Sequence, residues 1–374
     1  MEHGNLHFWM EISREHLAHN LLVLRQLASP QGDIMGVVKS QVYGHGVATA
    51  ALLSSLGLRK FGVASLEEAL DLKKSGVEGD IYILGGFFPW EAEAIVAEGF
   101  IPVVSQEEEF ESLVKAAERQ GRTARFHFKV DTGMGRMGCL PRNFTRSFFE
   151  RLSLSPAVAL CGVMTHFSSA EKDPEYTEWQ FQKFLAFLKR WGFWGKSLEY
   201  HCANSAAFLV FPHMRLALNR IGIALFGVSP NGEPELAKSL GLKPVTSVRA
   251  RVKLVKVLPP GFRVGYGGTF VTSRTSRVAV VALGYAQGLF RALSNNLEVL
   301  VRGKRAPVIG TISMDQVMVD VTHIEGVEKG DVVTFIGRDG EEEIRVEEVA
   351  RRGKTIPHEV LCSFGRIRHR VFVE

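Results

Sequence analysis

Short apolar runs recur along the first two-thirds of the chain, separated by stretches whose apolar residues fall at helical spacing. Runs at 33–39 (DIMGVVK), 60–65 (KFGVAS), 79–85 (GDIYILG) and 100–105 (FIPVVS) predict strands. Four more follow at 124–131 (ARFHFKVD), 160–168 (LCGVMTHFS), 197–203 (SLEYHCA) and 219–226 (NRIGIALF). Near-continuous apolar runs are what strands buried on both faces look like. The intervening segments carry helix-start signals. Ser13, Ser65 and Ser105 stand at N-cap positions, and Gln106-Glu107-Glu108-Glu109 places acid in a first turn, where it suits the helix dipole. Strand-then-helix units repeated eight times in about 240 residues match a (β/α)8 barrel.

Beyond residue 240 the helical period fades. VTSVRARVKLVKVL, SRVAVVALGY, LEVLVRGKRAPVIGTI, QVMVDVT, DVVTFIG and RIRHRVFVE are β-branched and alternating, broken by Pro-Gly, Gly-Gly and Asp-Gly turns. The expected fold class is therefore α/β: an N-terminal (β/α)8 barrel over residues 1–242, then a mainly β domain over 243–374.

In such a barrel, chemistry sits at the C-terminal ends of the strands. The unusual polar residues fall there. Lys39 ends the first run; Lys129 and Asp131 end the fifth, with Arg136 in the loop behind; Thr165 and His166 end the sixth. His201, Asn204 and Ser205 end the seventh, and Arg220, Gly222 and Ile223 lie on the eighth. A lone rim lysine is usually a solvated charge, and a lone strand histidine is usually a hydrogen-bonded core residue. Convergence on one barrel mouth is what favours a site. A lysine ending a buried strand is a candidate imine former. Tyr43, in Tyr43-Gly44-His45-Gly46, puts a phenol beside it. Asn204-Ser205 and Gly222-Ile223 follow strands seven and eight, the usual phosphate place of this fold. An imine-forming lysine and a phosphate cradle together imply pyridoxal 5′-phosphate.

Composition narrows the setting. The 374 residues are 46% hydrophobic and 23% charged, and the net charge of +5 comes from scattered Lys and Arg, so neither a nucleic-acid partner nor a membrane is expected. No apolar stretch is long enough to span a bilayer. The opening MEHGNLHFWMEIS has no basic-then-apolar export pattern. The four cysteines are far apart with no CxxC pair, which predicts reduced thiols and a cytoplasmic location. No HExxH, CxxC or carboxylate cluster suggests a metal, and GYGGTF (265–270) lacks the helix a dinucleotide fingerprint needs.

The chain resembles the alanine racemase family, the barrel-type pyridoxal-phosphate enzymes. The resemblance is carried by VVKSQVYGHG (37–46), KVDTGMGRMG (129–138), THFSSAE (165–171) and HCANSAA (201–207). It continues through RIGIALFG (220–227), GYGGTF (265–270), ALGYAQG (282–288) and GTISMDQVMVDVT (310–322), in family order along nearly the whole chain. It implies an isomerase interconverting L- and D-alanine by two bases on pyridoxal phosphate and supplying D-alanine for peptidoglycan. It also implies a head-to-tail homodimer with shared active sites. By position, Lys39 resembles the imine lysine and Tyr266 the second base, supplied across the dimer interface. Arg220 resembles the partner of the pyridine nitrogen, with His166 and His201 near the ring. Tyr43, Asn204, Ser205, Gly222, Ile223 and His358 fall at cofactor or phosphate positions. Arg136 and the Met314 N–H fall at substrate-carboxylate positions. Tyr285 is a supporting residue, and Lys129 matches a lysine often carbamylated in the family.

Racemisation needs two bases on opposite faces of a flat carbanion. A phenol, with an unperturbed pKa near 10, acts as base only where nearby cations favour the phenolate. A permanently cationic Arg220 keeps the ring nitrogen an acceptor, which weakens the electron sink and favours prompt reprotonation. Three departures from the family pattern bear on substrate range. Ser40-Gln41-Val42 replaces Ala-Asn-Ala, Gln287 replaces an acid, and His358 replaces a tyrosine. The same mechanism on serine, lysine or a broad range of amino acids is the alternative. A non-catalytic pyridoxal-phosphate-binding protein is the remote one, since barrel-only relatives lack a β domain carrying Tyr266 and Met314.

Overall fold

The computed structural model describes residues 5–28, 30 and 32–374. They fall into two compact units. The barrel unit comprises Leu21–Val42 and Val47–Leu225; the β unit comprises the described residues up to Asn20, Tyr43–Gly46 and Phe226–Glu374.

With β1 (Phe8–Ser13) in the β unit, the barrel strands are β2 (Asp33–Val37), β3 (Lys60–Val63), β4 (Asp80–Ile83), β5 (Ile101–Val104), β6 (Ala124–Lys129), β7 (Val158–Met164), β8 (Glu199–His201) and β9 (Leu218–Ile221). All eight lie in one sheet, ordered β8-β7-β6-β5-β4-β3-β2-β9, with parallel pairing throughout. At the seam, Arg220 N–H donates to Ala203 O at 3.1 Å, so the sheet forms a nearly closed barrel. Each expected strand is present, but all eight stop short at their C-terminal ends. β2 ends at Val37 rather than Lys39, and β9 gives way to a 3-10 turn over Ile223–Phe226. Those extra residues leave the sheet to build the barrel mouth. Met35, Tyr82, Ile101 and Leu218 pack together as a buried cluster.

Two of the three expected caps hold. Ser13 Oγ accepts from His16 N–H at 3.1 Å, and Ser65 Oγ accepts from Glu68 N–H at 3.4 Å. The third shifts by one residue: Gln106 is the N-cap, and the Glu109 carboxylate turns back to accept from Ser105 N–H (2.6 Å) and Gln106 N–H (3.3 Å).

In the β unit a nine-stranded sheet centres on β10 (Thr246–Leu258). Thr246, Val248, Ala250 and Val252 are buried while the residues between them are not, which is the period of a half-buried strand. β1 pairs antiparallel with β10 and parallel with Arg370–Val373. Leu258, Val264, Val278 and Ile309 form a second apolar cluster, with Phe270 and Met318 against it. Among the described residues no helix is long and apolar enough to cross a membrane.

Candidate active site

Behind β2 the backbone turns left-handed. Ser40, Gln41, Val42 and Tyr43 have φ of 54°, 53°, 57° and 52°. A left-handed turn of non-glycine residues is sterically costly, most of all at β-branched Val42. Hydrogen bonds hold it: Ser40 N–H donates to Glu68 Oε1 at 2.6 Å, and Val42 N–H to Val38 O at 3.1 Å. Glu68 Oε2 also accepts from Ala64 N–H at 2.8 Å, so one carboxylate ties the turn to the end of β3. Lys39 opens this turn with its side chain exposed, not on a buried strand end as expected.

Arg220 on β9 is 3% exposed. Its Nη1 lies 3.0 Å from His201 Nδ1, and its Nη2 lies 3.0 Å from His166 Nδ1, 3.0 Å from Thr165 O and 2.9 Å from Cys202 O. Its Nε–H meets no acceptor among the described residues. Burial pushes Arg220 down to about 10, which leaves it cationic at neutral pH. Burial first, and then the Arg220 charge, hold His166 well below its ordinary value; for His201, burial and neighbouring His127 do the same. Both imidazoles are therefore neutral acceptors toward a permanent donor. Gln180 fixes the loop beneath, accepting from Ser168 N–H at 3.0 Å and donating to His166 O at 3.2 Å.

Lys129 ends β6 and is 5% exposed. Burial, together with the charges of Arg220 and Arg136, brings its amine down to about 8. Asp131 is a loop-builder rather than a free acid. Its Oδ1 accepts from the N–H groups of Gly133, Met134 and Gly135 at 2.9, 2.8 and 3.2 Å. That nest shapes the loop which presents exposed Arg136.

Asn204 and Ser205 also differ in role. Asn204 Oδ1 caps the helix Ser205–Val210 by accepting from Ala207 N–H at 3.0 Å. Ser205 Oγ accepts from Gly222 N–H at 3.0 Å, which links the loops after β8 and β9 where Gly222 and Ile223 lie.

The β unit holds the remaining residues. Tyr43 packs near Phe226 and His358, with ring centroids 5.9 Å away in each case. His45 stacks on Phe226 at 4.0 Å and bonds Thr246 Oγ1 at 2.6 Å. Tyr266 sits in a short turn, 72% exposed, with its carbonyl accepting from Thr311 Oγ1 at 2.8 Å. Met314 is exposed too, and its loop is braced by Ala286 N–H to Met314 O (2.9 Å) and Tyr285 N–H to Ser313 O (3.1 Å). Gln287 takes over a bracing role, as its Oε1 accepts from Gly284 N–H at 2.9 Å.

Two residues escaped the sequence reading. His127 on β6 and Glu199 on β8 point into the barrel, where His127 Nδ1 lies 2.8 Å from His201 Nε2. The available signal was the alternation Arg125-x-His127-x-Lys129 and Glu199-x-His201, polar residues at every second position of otherwise apolar strands.

The family model for the alanine racemase N-terminal domain matches residues 12–230, and that for the C-terminal domain matches residues 245–372. Alanine racemase 2 of Caldanaerobacter subterraneus subsp. tengcongensis is 35% identical over 368 residues, covering 97% of this chain and 94% of that protein. The crystal structure of alanine racemase from D-cycloserine-producing Streptomyces lavendulae superposes with a TM-score of 0.92 at 33% identity, covering 98% of this chain and 97% of that one. Alanine racemase from Bartonella henselae, with covalently bound pyridoxal phosphate, gives a TM-score of 0.85 at 30% identity, with 98% and 100% covered. Matched from end to end by domain models, sequence and fold, the chain belongs to the alanine racemase family.

Proposed function

We propose that this chain interconverts L- and D-alanine as a cytoplasmic homodimer and supplies D-alanine for peptidoglycan. Pyridoxal 5′-phosphate is its cofactor, and the barrel unit's donor set fits that group. Lys39 would offer the amine that holds its carbonyl carbon. Arg220 Nε–H is the open donor for the ring nitrogen, with His166 and His201 beside it. Asn204, Ser205, Gly222 and Ile223 would hold the phosphate from the barrel unit, and Tyr43 and His358, on the β unit, fall at family phosphate positions. When bound, the cofactor supplies the electron sink that acidifies the Cα proton of an attached amino acid.

Lys39 Nζ would move a proton at one face of the substrate Cα. Tyr266 Oη, reaching in from the partner subunit, moves a proton at the other. Arg136 and the Met314 N–H orient the substrate carboxylate, and Tyr285 supports the Met314 loop. Lys129 is poised to react with carbon dioxide, because its lowered pKa leaves part of it neutral at mild pH. A carbamate there would turn repulsion among three cations into attraction and steady Arg136.

The observation that carries the reading is Arg220: buried, cationic, and held by neutral acceptors at both terminal nitrogens. Such a donor would hold the ring nitrogen of the cofactor as an acceptor without giving up its own proton, a setting that suits racemisation. Exposed Tyr266, Met314, Phe262 and Val271 on the β unit support a covering partner. His358, shorter than the family's tyrosine and packed near Tyr43, favours tolerance of serine and other amino acids larger than alanine as a second reading.

Mixing inactive Lys39→Ala and inactive Tyr266→Phe subunits tests the shared site. Some mixed dimers contain one intact site, so part of the racemase activity should return. Mixed dimers that form, by mass measurement, and stay inactive would remove Tyr266 from the partner's site.

A further inference from the structure

The interior of a barrel of this kind is normally filled by apolar side chains. Here a line of polar groups runs along it within the barrel unit. It starts at Arg220 on β9, passes to His201 at the end of β8, then to His127 on β6, and reaches Glu199 at the start of β8. His201 and His127 are 0% exposed. His127 Nε2 lies 3.3 Å from Glu199 Oε2, facing the carboxylate though poorly aligned as a hydrogen bond. Glu199 also takes Lys60 Nζ at 2.5 Å and the Tyr82 hydroxyl at 3.1 Å, and Lys60 reaches Asp33 at 3.2 Å. Asp33, Lys60 and Glu199 each open a strand, so the line ends at the barrel rim opposite the catalytic mouth.

Backbone features make room for it. Gly162 on β7 stands beside the His127 ring: a Cβ there would lie 2.6 Å from His127 Cε1 and 2.7 Å from His127 Nδ1. The pairing of β6 with β7 shifts register at this level, between Phe126 and His127. Bulges and strand glycines of this sort re-aim side chains.

The line has a direction. A guanidinium can only donate, so His201 Nδ1 is an acceptor. Neutral His201 then carries its proton on Nε2 and donates to His127 Nδ1. Neutral His127 in turn carries its proton on Nε2, facing the carboxylate. Burial keeps both rings neutral; burial would also raise Glu199, but contact with His127 and Lys60 outweighs it and holds the carboxyl at about 2. Every dipole along the line therefore points from the cation toward a fixed anion.

We infer that His201, His127 and Glu199 form a directed polar column that anchors Arg220 and draws its positive charge away from the catalytic mouth, and that His127 and Glu199 are positioning residues for the cofactor's ring nitrogen. The inference rests on the reading of Arg220 as that nitrogen's partner. A weaker donor at Nε holds the ring without protonating it.

The test uses holoenzyme loaded with pyridoxal phosphate labelled with 15N in the ring and reads the nitrogen resonance. Glu199→Gln keeps the size and removes the charge, so the resonance should move toward the protonated-pyridine side. Lys60→Met, at the outer end, removes the cation that offsets Glu199 and should move it the opposite way by less. Arg220→Gln is the reference and should give the largest displacement. Opposite signs for the two rim variants are something a general loosening of the barrel would not produce. No displacement in either, or displacements of the same sign, while Arg220→Gln does move the resonance, would overturn the column. Should Arg220→Gln leave the resonance in place, it is the ring-nitrogen reading that fails. If Glu199→Gln does not fold, as judged by thermal melting and circular dichroism, the sign of the Lys60→Met displacement alone decides.

Discussion

The turn behind Lys39 and the turn that carries Tyr266 both need positive φ, and they meet the need differently. The first uses Ser40, Gln41, Val42 and Tyr43, residues that resist it, and is held by Glu68 and Val38. The second uses Gly265, Gly267 and Gly268, at φ of 69°, 73° and 56°, which adopt it freely. Their surroundings differ as well. The barrel unit's polar groups are largely buried and tied to one another before any ligand arrives. Tyr266 stands 72% exposed with only its backbone held. The barrel residues are fixed by contacts within their own unit, whereas the Tyr266 side chain stands open to solvent on a turn held only through its backbone. Strain persists where local bonds over-determine it, and glycine appears where they do not.

The sharpest way to break this contrast is to remove each proposed base alone. Lys39→Ala should abolish racemisation and Cα exchange in D2O together, along with the absorbance of the covalently held cofactor. Tyr266→Phe should keep that absorbance and lose racemisation by about 10²–10⁴-fold, the usual range for one acid–base group. It should still exchange Cα–H of one enantiomer, because Lys39 remains. Exchange persisting for both enantiomers would mean that Tyr266 is not the second base.

A smaller effect is expected at Lys129, where the barrel unit's buried cations meet. Carbon dioxide adds only to the neutral amine, and burial with the Arg220 and Arg136 charges brings that amine down to about 8 from its ordinary 10.5. Carbamate occupancy, read by 13C NMR with labelled bicarbonate, should rise as pH climbs through about 8, and Lys129→Ala should show none. The same shift has a sign for stability. The folded state holds the proton less tightly than the unfolded one, so this group's penalty is full below pH 8 and fades as pH rises toward 10.5. Occupancy that stays flat across pH 7–9 would refute the lowered value.

Sequence periodicity made the barrel strands legible because most are buried apolar runs with a helix behind them. The strand β1 was not legible: FWMEIS pairs with β10 and with Arg370–Val373, residues hundreds of positions away, and its register comes only from those partners. Arg220 and His201 were readable as polar residues on barrel strands, and Lys39 as the polar residue that ends the first apolar run, although it stands in an exposed turn and not on the strand. His127 and Glu199 were not, because a mid-strand histidine and a strand-opening glutamate have ordinary explanations until the barrel closes around them. The left-handed turn was hidden for a different reason. Ser-Gln-Val-Tyr carries no glycine, and nothing local announces that Glu68, on a later helix, will hold it. Ser105 was misplaced by one residue because two polar residues precede the same acidic first turn, and only the reach of Glu109 decides between them.

The smallest expected effects test the two turns themselves. Gln41 is exposed, so replacing it removes little packing. Its φ of 53° costs a non-glycine residue roughly 1–2 kcal/mol, and glycine's greater unfolded-state freedom takes back about 0.5–1 kcal/mol. Gln41→Gly should therefore stabilise the protein slightly, by up to about 1 kcal/mol. Gly267 gives the converse. Its φ is +73°, and a Cβ there would meet only Thr269 Cγ2 at 3.6 Å, an ordinary contact, so Gly267→Ala reports backbone strain almost alone. It should destabilise by roughly 1–2 kcal/mol. Denaturant midpoints of the two variants, measured at unchanged slope, should move in opposite directions. If both move down, the Gln41 side chain is holding the Lys39 turn as Glu68 does. If Gly267→Ala moves nothing, the Tyr266 turn is loose enough to give up its left-handed geometry without cost, and the contrast between the two turns lies in exposure alone.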